Sequence, residues 1–149
     1  VGQFDVEAAL RRHLETPQGG IAATASNRPA TGSQGGLVTD KVVIFVTAAS
    51  RREGKKIARH LVENKLAACV NISQPIESIY RWEGKIADER EFLLIIKSTR
   101  ELFPEIKAEI AKIHSYRTPE IIGLPVIDGS RSYLQWVSDS VKPAAMKNQ

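Results

Sequence analysis

Apolar positions first fall into a regular pattern at Val42. Val42–Ala48 (VVIFVTA) is a β-branched run long enough for a buried strand. Ser50-Arg51-Arg52-Glu53 follows as a capping box, in which Ser and Glu each satisfy a free backbone N–H. The helix it opens carries Ile57, Ala58, Leu61 and Val62 on one face and is expected to end around Asn64-Lys65. Leu66–Ile72 (LAACVNI) predicts a second buried strand. After Gln74-Pro75, Ile76, Ser78, Tyr80 and Trp82 alternate with Glu77, Ile79, Arg81 and Glu83, a period-two strand with a large aromatic edge. Glu83-Gly84-Lys85 is a turn signal. Phe92–Lys97 (FLLIIK) predicts a third core strand, paired back on the second. Thr99 is expected to cap a second helix, from Arg100 to about His114, with Leu102, Phe103, Ile106, Ile110 and Ile113 at helical spacing and Pro104 in its first turn. Tyr116-Arg117-Thr118-Pro119 reads as a loop. Ile121–Ile127 reads as a fourth strand, with Pro125 marking an edge or a bulge. Asp128-Gly129 turns the chain into a last helix bearing Tyr133, Leu134, Trp136, Val137 and Val141.

This order, β-α-β-β-α-β plus a C-terminal helix, is the α+β, ferredoxin-like sandwich. Two helices cover one face of such a sheet. FLLIIK is apolar on both sides, so the other face needs a cover too, and self-association is the expected one. The pattern fades outside this region. Thr16–Gly36 is rich in Gly, Ser, Thr, Ala and Pro and has Ile21 as its only large apolar residue, too little to offset the entropy of ordering it. The expected division is a flexible leader and linker over 1–36, a folded domain over 37–143 and a disordered tail over 144–149. Within the leader, Phe4–Glu15 reads as a frayed segment or a short docking helix.

Composition narrows the picture. A length of 149 residues suits one domain. The net charge of +4 is too mild to point to a nucleic-acid partner bound through many phosphates. The longest apolar runs, Val42–Val46 and Phe92–Ile96, fall far short of the roughly 18 residues of a membrane span. A single cysteine, Cys69, excludes an intramolecular disulfide framework. Gly-rich phosphate loops, a G-x-S-x-G nucleophile elbow and an H-E-x-x-H zinc motif are all absent from the sequence.

Candidate chemistry is sparse. His13, His60 and His114 have no metal-ligand spacing among them. His60 is expected at the surface. His114, where the second helix meets the Tyr116–Pro119 loop, reads either as a helix-end residue that meets the last carbonyls or as a ligand in a cleft. Cys69 reads as a small buried hydrophobe or as a soft ligand for Cu(I). Lys97, Glu120, Tyr80, Trp82 and Tyr116 either line a polar cleft at the sheet ends or belong to an interface.

Three stretches, in order, resemble the CutA family of divalent-cation tolerance proteins: LAACVNI, then Tyr80-Arg81-Trp82-Glu83-Gly84-Lys85, then His114 through Pro125 (HSYRTPEIIGLP). The closing Tyr133-Leu134-Gln135-Trp136 matches as well, so the resemblance covers about Lys41 to Val141. It implies a tight homotrimer with the architecture of the PII signalling proteins. It also implies binding of divalent metal, copper (Cu2+) above all, a role in metal tolerance, and no enzymatic reaction. His114 is the one metal residue carried over directly; a site here would recruit a carboxylate such as Glu120, with Cys69 as the further candidate. Lys97, Tyr116, Arg117 and Trp82 would line a ligand cleft between subunits. The chain departs from the family's metal pattern at Ser115, where the family often has proline, and at Ile113 and Val46, where some members carry a second histidine and a cysteine. Two other readings accompany this one: a PII-like sensor of a small anion or nucleotide near Lys97 and Arg117, and a trimeric scaffold that displays its N-terminal segment. The expected compartment is the cytoplasm, or an organelle such as the chloroplast after removal of a leader.

Overall fold

The structure, a computed structural model, describes residues 39–143. The expected leader and tail, and His13 with them, lie outside the described residues.

Alternation along the first strand, β1 (Lys41–Ala48), sets the two faces of the sheet. Val42, Ile44, Val46 and Ala48 are buried in the main core, while Lys41, Val43, Phe45 and Thr47 point the other way. Helix α1 (Arg51–Glu63) starts at Ser50, whose Oγ accepts the Glu53 N–H at 3.1 Å; Glu53 Oε2 accepts the Ala49 N–H at 3.0 Å. Both halves of the expected cap are therefore present, with Glu53 reaching one residue further back than in the standard box. The helix stops at Asn64. Lys65 takes a left-handed φ of 54°, so that its N–H meets Val62 O and that of Leu66 meets Leu61 O.

The second strand differs from expectation. Leu66 and Ala67 are buried in the connection, and β2 runs unbroken from Cys69 to Trp82, absorbing both predicted segments. Its register shifts between Ile72 and Pro75, where proline has no N–H to donate. There the Ser73 hydroxyl accepts the Leu93 N–H at 2.9 Å in place of a ladder partner. Glu83 and Gly84, with φ of 46° and 77°, form the two-residue left-handed turn that matches strand twist. Strand β3 (Lys85–Thr99) is accordingly much longer than FLLIIK. A 3-10 turn (Arg100–Leu102) precedes α2 (Phe103–Ile113), and Thr99 makes no side-chain cap. Pro104 falls in the first turn of α2 as expected. Strand β4 (Ile121–Pro125) ends two residues early and lies at the sheet edge; α3 (Arg131–Ser140) is the last described element.

The sheet order is β2-β3-β1-β4, antiparallel throughout, which is the expected ferredoxin-like arrangement. Helices α1 and α2 bury Ile57, Leu61, Ile106 and Ile110 against Ile44, Leu94 and Ile96, each side chain contributing roughly 1.5–3 kcal/mol. His60 is half-buried rather than exposed, since its Nε2 lies 2.8 Å from Glu109 Oε2 and ties α1 to α2. Gly123 lets α2 approach β4: a Cβ there would sit 2.8 Å from Phe103. Helix α3 packs on β3 and buries Val137, and Lys142 N–H then reaches Lys65 O.

Two features position the functional surface. The register places Val43, Phe45, Leu93, Ile95, Ile122 and Leu124 on the face away from α1 and α2, an apolar stripe across three strands. β1 stops pairing at Phe92, so residues 76–91 of β2 and β3 continue as a two-stranded arm.

A candidate cation cleft at the base of the arm

Where the arm leaves the sheet, the loop after α2 folds over the stripe's face. It encloses a cleft of about 800 Å³. Register pairs Ile76 with Glu91, Ser78 with Glu89 and Tyr80 with Ala87, so Tyr80, Trp82 and Glu91 share one face of the arm. Tyr116, Arg117 and Glu120 enter from the loop. Of the candidate residues, Tyr80, Trp82, Tyr116, Arg117 and Glu120 border this one cleft.

His114 anchors this loop. Its side chain is fully buried, its Nε2 lies 2.7 Å from Thr47 O, and its Nδ1 accepts the Tyr116 N–H at 3.0 Å. That acceptor role makes Nε2 the protonated nitrogen, the donor to Thr47. Glu53 supports the same loop: Oε1 accepts the Ser115 N–H at 2.6 Å and lies 3.7 Å from His114 Nδ1. Burial alone would raise the Glu53 carboxyl, but the N–H groups of Ser115 and Ala49 outweigh it, and its pKa is lowered.

The cleft is acidic. Glu91 and Glu120 line it with one basic residue, Arg117; Glu77 also borders it but pairs in register with Arg90 on the other face of the arm. Glu91 is only 5% exposed, and it forms no ion pair with a described residue. Burial, followed by the charge of Glu91 and its hydrogen bond from the phenol, pushes Tyr116 up to about 12. Tyr80 is raised by burial and by the charges of Glu89 and Glu91.

The other implied residues lie elsewhere. Lys97 donates to Asn71 Oδ1 and, at 3.2 Å, to Ile95 O. Six residues of β3 separate it from Glu91, about 20 Å along the strand. Cys69 pairs in register with Lys97 at that far end, half-buried. Within the chain, therefore, His114, Glu120 and Cys69 do not converge, and Lys97 does not join Arg117. Among the described residues no three His, Cys, Asp or Glu side chains are grouped to hold a metal ion. With both His114 nitrogens engaged, the residues do not fit a preformed metal centre inside the protomer.

Sequence reasoning missed Glu91 and Glu53. The signal for Glu91 was its phase: it alternates with Leu93 and Ile95 on a face that is otherwise apolar at this point. Glu53 was read only as a helix cap.

The fold and the cleft define a ferredoxin-like α+β protein with an acidic, aromatic cleft beside an apolar sheet face. The chain belongs to the CutA1 divalent ion tolerance family, whose profile matches residues 42–140. It is 42% identical over 98 residues to the divalent-cation tolerance protein CutA of Thermus thermophilus, covering 66% of this chain and 95% of that one. To the Arabidopsis thaliana protein named CutA, chloroplastic, it is 45% identical over 101 residues, which are 68% of this chain and 56% of that one. The crystal structure of CutA1 from Oryza sativa superposes with a TM-score of 0.68 at 39% identity, covering 71% of this chain and 97% of that one. No helix among the described residues is long and apolar enough to cross a membrane.

Proposed function

We propose that this protein is a homotrimer that binds divalent cations in metal tolerance, acting by binding rather than catalysis. The observation that carries the reading is the acidic cleft, with Glu91 and Glu120 against one guanidinium and Glu91 nearly buried. Copper is the proposed ion, because Cu(II) leads the general affinity order for mixed oxygen and nitrogen donors. Glu120 at the cleft rim is the proposed oxygen ligand. His114 is the proposed nitrogen ligand once Nδ1 gives up the Tyr116 N–H, a rearrangement that keeps binding weak. Cys69 stands apart from them. The apolar stripe and the unsupported arm support self-association, since a two-stranded ribbon is marginal alone in water. Three copies would bury both. The cytoplasm is the proposed compartment, with a chloroplast as the alternative that the name of the Arabidopsis relative suggests.

Calorimetric titration of the full chain with Cu(II) tests the metal assignment. His114→Ala and Glu120→Gln are expected to weaken binding by about tenfold or more, and Cys69→Ser to leave it unchanged. Unchanged affinity in the first two variants, with melting curves showing them folded, overturns the assignment. Light scattering should give three times the chain mass of 16.4 kDa.

A further inference from the structure

The outer face of α1 concentrates positive charge. Arg52, Lys55, Lys56 and Arg59 recur at i, i+3, i+4 and i+7, opposite the buried Gly54, Ile57 and Leu61, and all four are exposed, as is Arg51 beside them. The row is about 10 Å long. It lies on the side of the sheet opposite the stripe that assembly is proposed to cover, and it is independent of the cation cleft. We infer that this row docks a short acidic segment of a partner protein, whose carboxylates pair with Arg52, Lys55, Lys56 and Arg59.

The helix pays for this row in stability. Arg51 with Lys55, Arg52 with Lys56 and Lys55 with Arg59 stack like charges four residues apart, where they repel. Arg51 and Arg52 also stand in the first turn, at the positive end of the helix dipole. Little on the helix offsets this. Glu63 lies 3.8 Å from Arg59, while Glu53 turns its carboxylate to Ala49 and Ser115. Arg51 sits over the Phe92 ring at 5.8 Å, and Arg52, Lys55 and Lys56 form no ion pair with a described residue. A local rule broken without compensation inside the fold is what a functional surface looks like. The surroundings select the partner. The apolar face of α1 is taken up by the core, so the helix has none to insert into a bilayer. Neighbouring α2 carries Glu105 and Glu109, already matched by Lys142 and by His60 and Lys112. A long polyanion such as a nucleic acid, crossing both helices, would meet those carboxylates. A short acidic segment stays on α1, where arginine forks take carboxylates through paired hydrogen bonds.

The probe is a fluorescein-labelled octaglutamate peptide, titrated with the full chain and read by fluorescence anisotropy. A glycine-serine octapeptide, a single-stranded octanucleotide and phosphatidylserine vesicles run in parallel. Saturable binding of octaglutamate is expected, weakening as added salt shortens the screening length. Lys55→Glu with Lys56→Glu should weaken it by about tenfold or more, because the row then repels the peptide. The same double variant should melt at or above the parent's temperature, since its stacked pairs now join opposite charges. A row that served only the fold would give the reverse. Lys107→Glu with Lys112→Glu makes the same change of net charge on α2 and should cost about threefold or less, through screened long-range attraction alone. Absence of octaglutamate binding, equal loss in the two double variants, or a melting temperature below the parent's for the α1 variant overturns the inference. Tighter binding of the octanucleotide or of the vesicles than of octaglutamate also overturns it, and assigns the row to that polyanion instead.

Discussion

Glu53 does two jobs with one carboxylate. Oε2 closes the N-terminus of α1 through Ala49, and Oε1 holds the Ser115 N–H of the cleft loop. Its pKa lies below the ordinary value of 4.5 in the folded protein. A carboxyl lowered by folding contributes stability that is present above that ordinary value and is lost as pH falls through its folded value. Glu53→Gln should therefore cost about 1–2 kcal/mol at neutral pH, and the gap to the parent should shrink as pH drops below 4.5. Urea melts at neutral and acid pH measure the gap; a constant difference would remove the charge from the account. The capping role was legible, because Ser50 and Glu53 have the box spacing. The loop contact was not, since Ser115 lies 62 residues away. For His114 both readings were open in the sequence, a helix end or a cleft ligand. What the fold adds is Thr47 O, 67 residues distant, which occupies Nε2.

Elements show the same division. The stretches Leu66–Ile72 and Ile76–Glu83 read as separate strands because Pro75 interrupts them. The structure joins them through a shifted register in which the Ser73 hydroxyl serves as acceptor. Periodicity finds strands but not their pairing, so the length of the arm was hidden. Between β4 and α2, Gly123 permits close contact with the Phe103 ring. Gly123→Ala should force that ring aside and destabilise the fold by about 1–3 kcal/mol, read as a lower denaturant midpoint. An unchanged midpoint would mean that Phe103 has room to move. The affected elements flank the 114–120 loop, so the same variant should also weaken ligand binding at the cleft.

Among the described residues, the main core lies on one side of the sheet only. Ile79 and Ile86 on the arm are 72% and 63% exposed, far more than side chains of that size need be in a covered surface. They are proposed to be covered on assembly. Ile79→Ser with Ile86→Ser should leave the protomer folded, because neither touches the core, and weaken assembly by about tenfold or more. Light scattering over a dilution series would show the mass falling toward 16.4 kDa. A mass that does not depend on the substitutions would place the interface elsewhere.

Element types, their order and the apolar faces were determined by the sequence alone, because hydrophobic period and caps are local signals that survive without tertiary context. The turn at Glu83-Gly84 belongs with them, as its two left-handed residues close a two-residue hairpin. The cleft was decided only by the tertiary structure. Its carboxylate, Glu91, is buried because β3 outruns β1 and the loop after α2 folds over the gap. Its loop is held by Thr47 and Glu53, residues remote in sequence. Cys69 and Lys97, chemically plausible partners on paper, fall at the other end of the strands, because register is set by long-range pairing that no local pattern encodes.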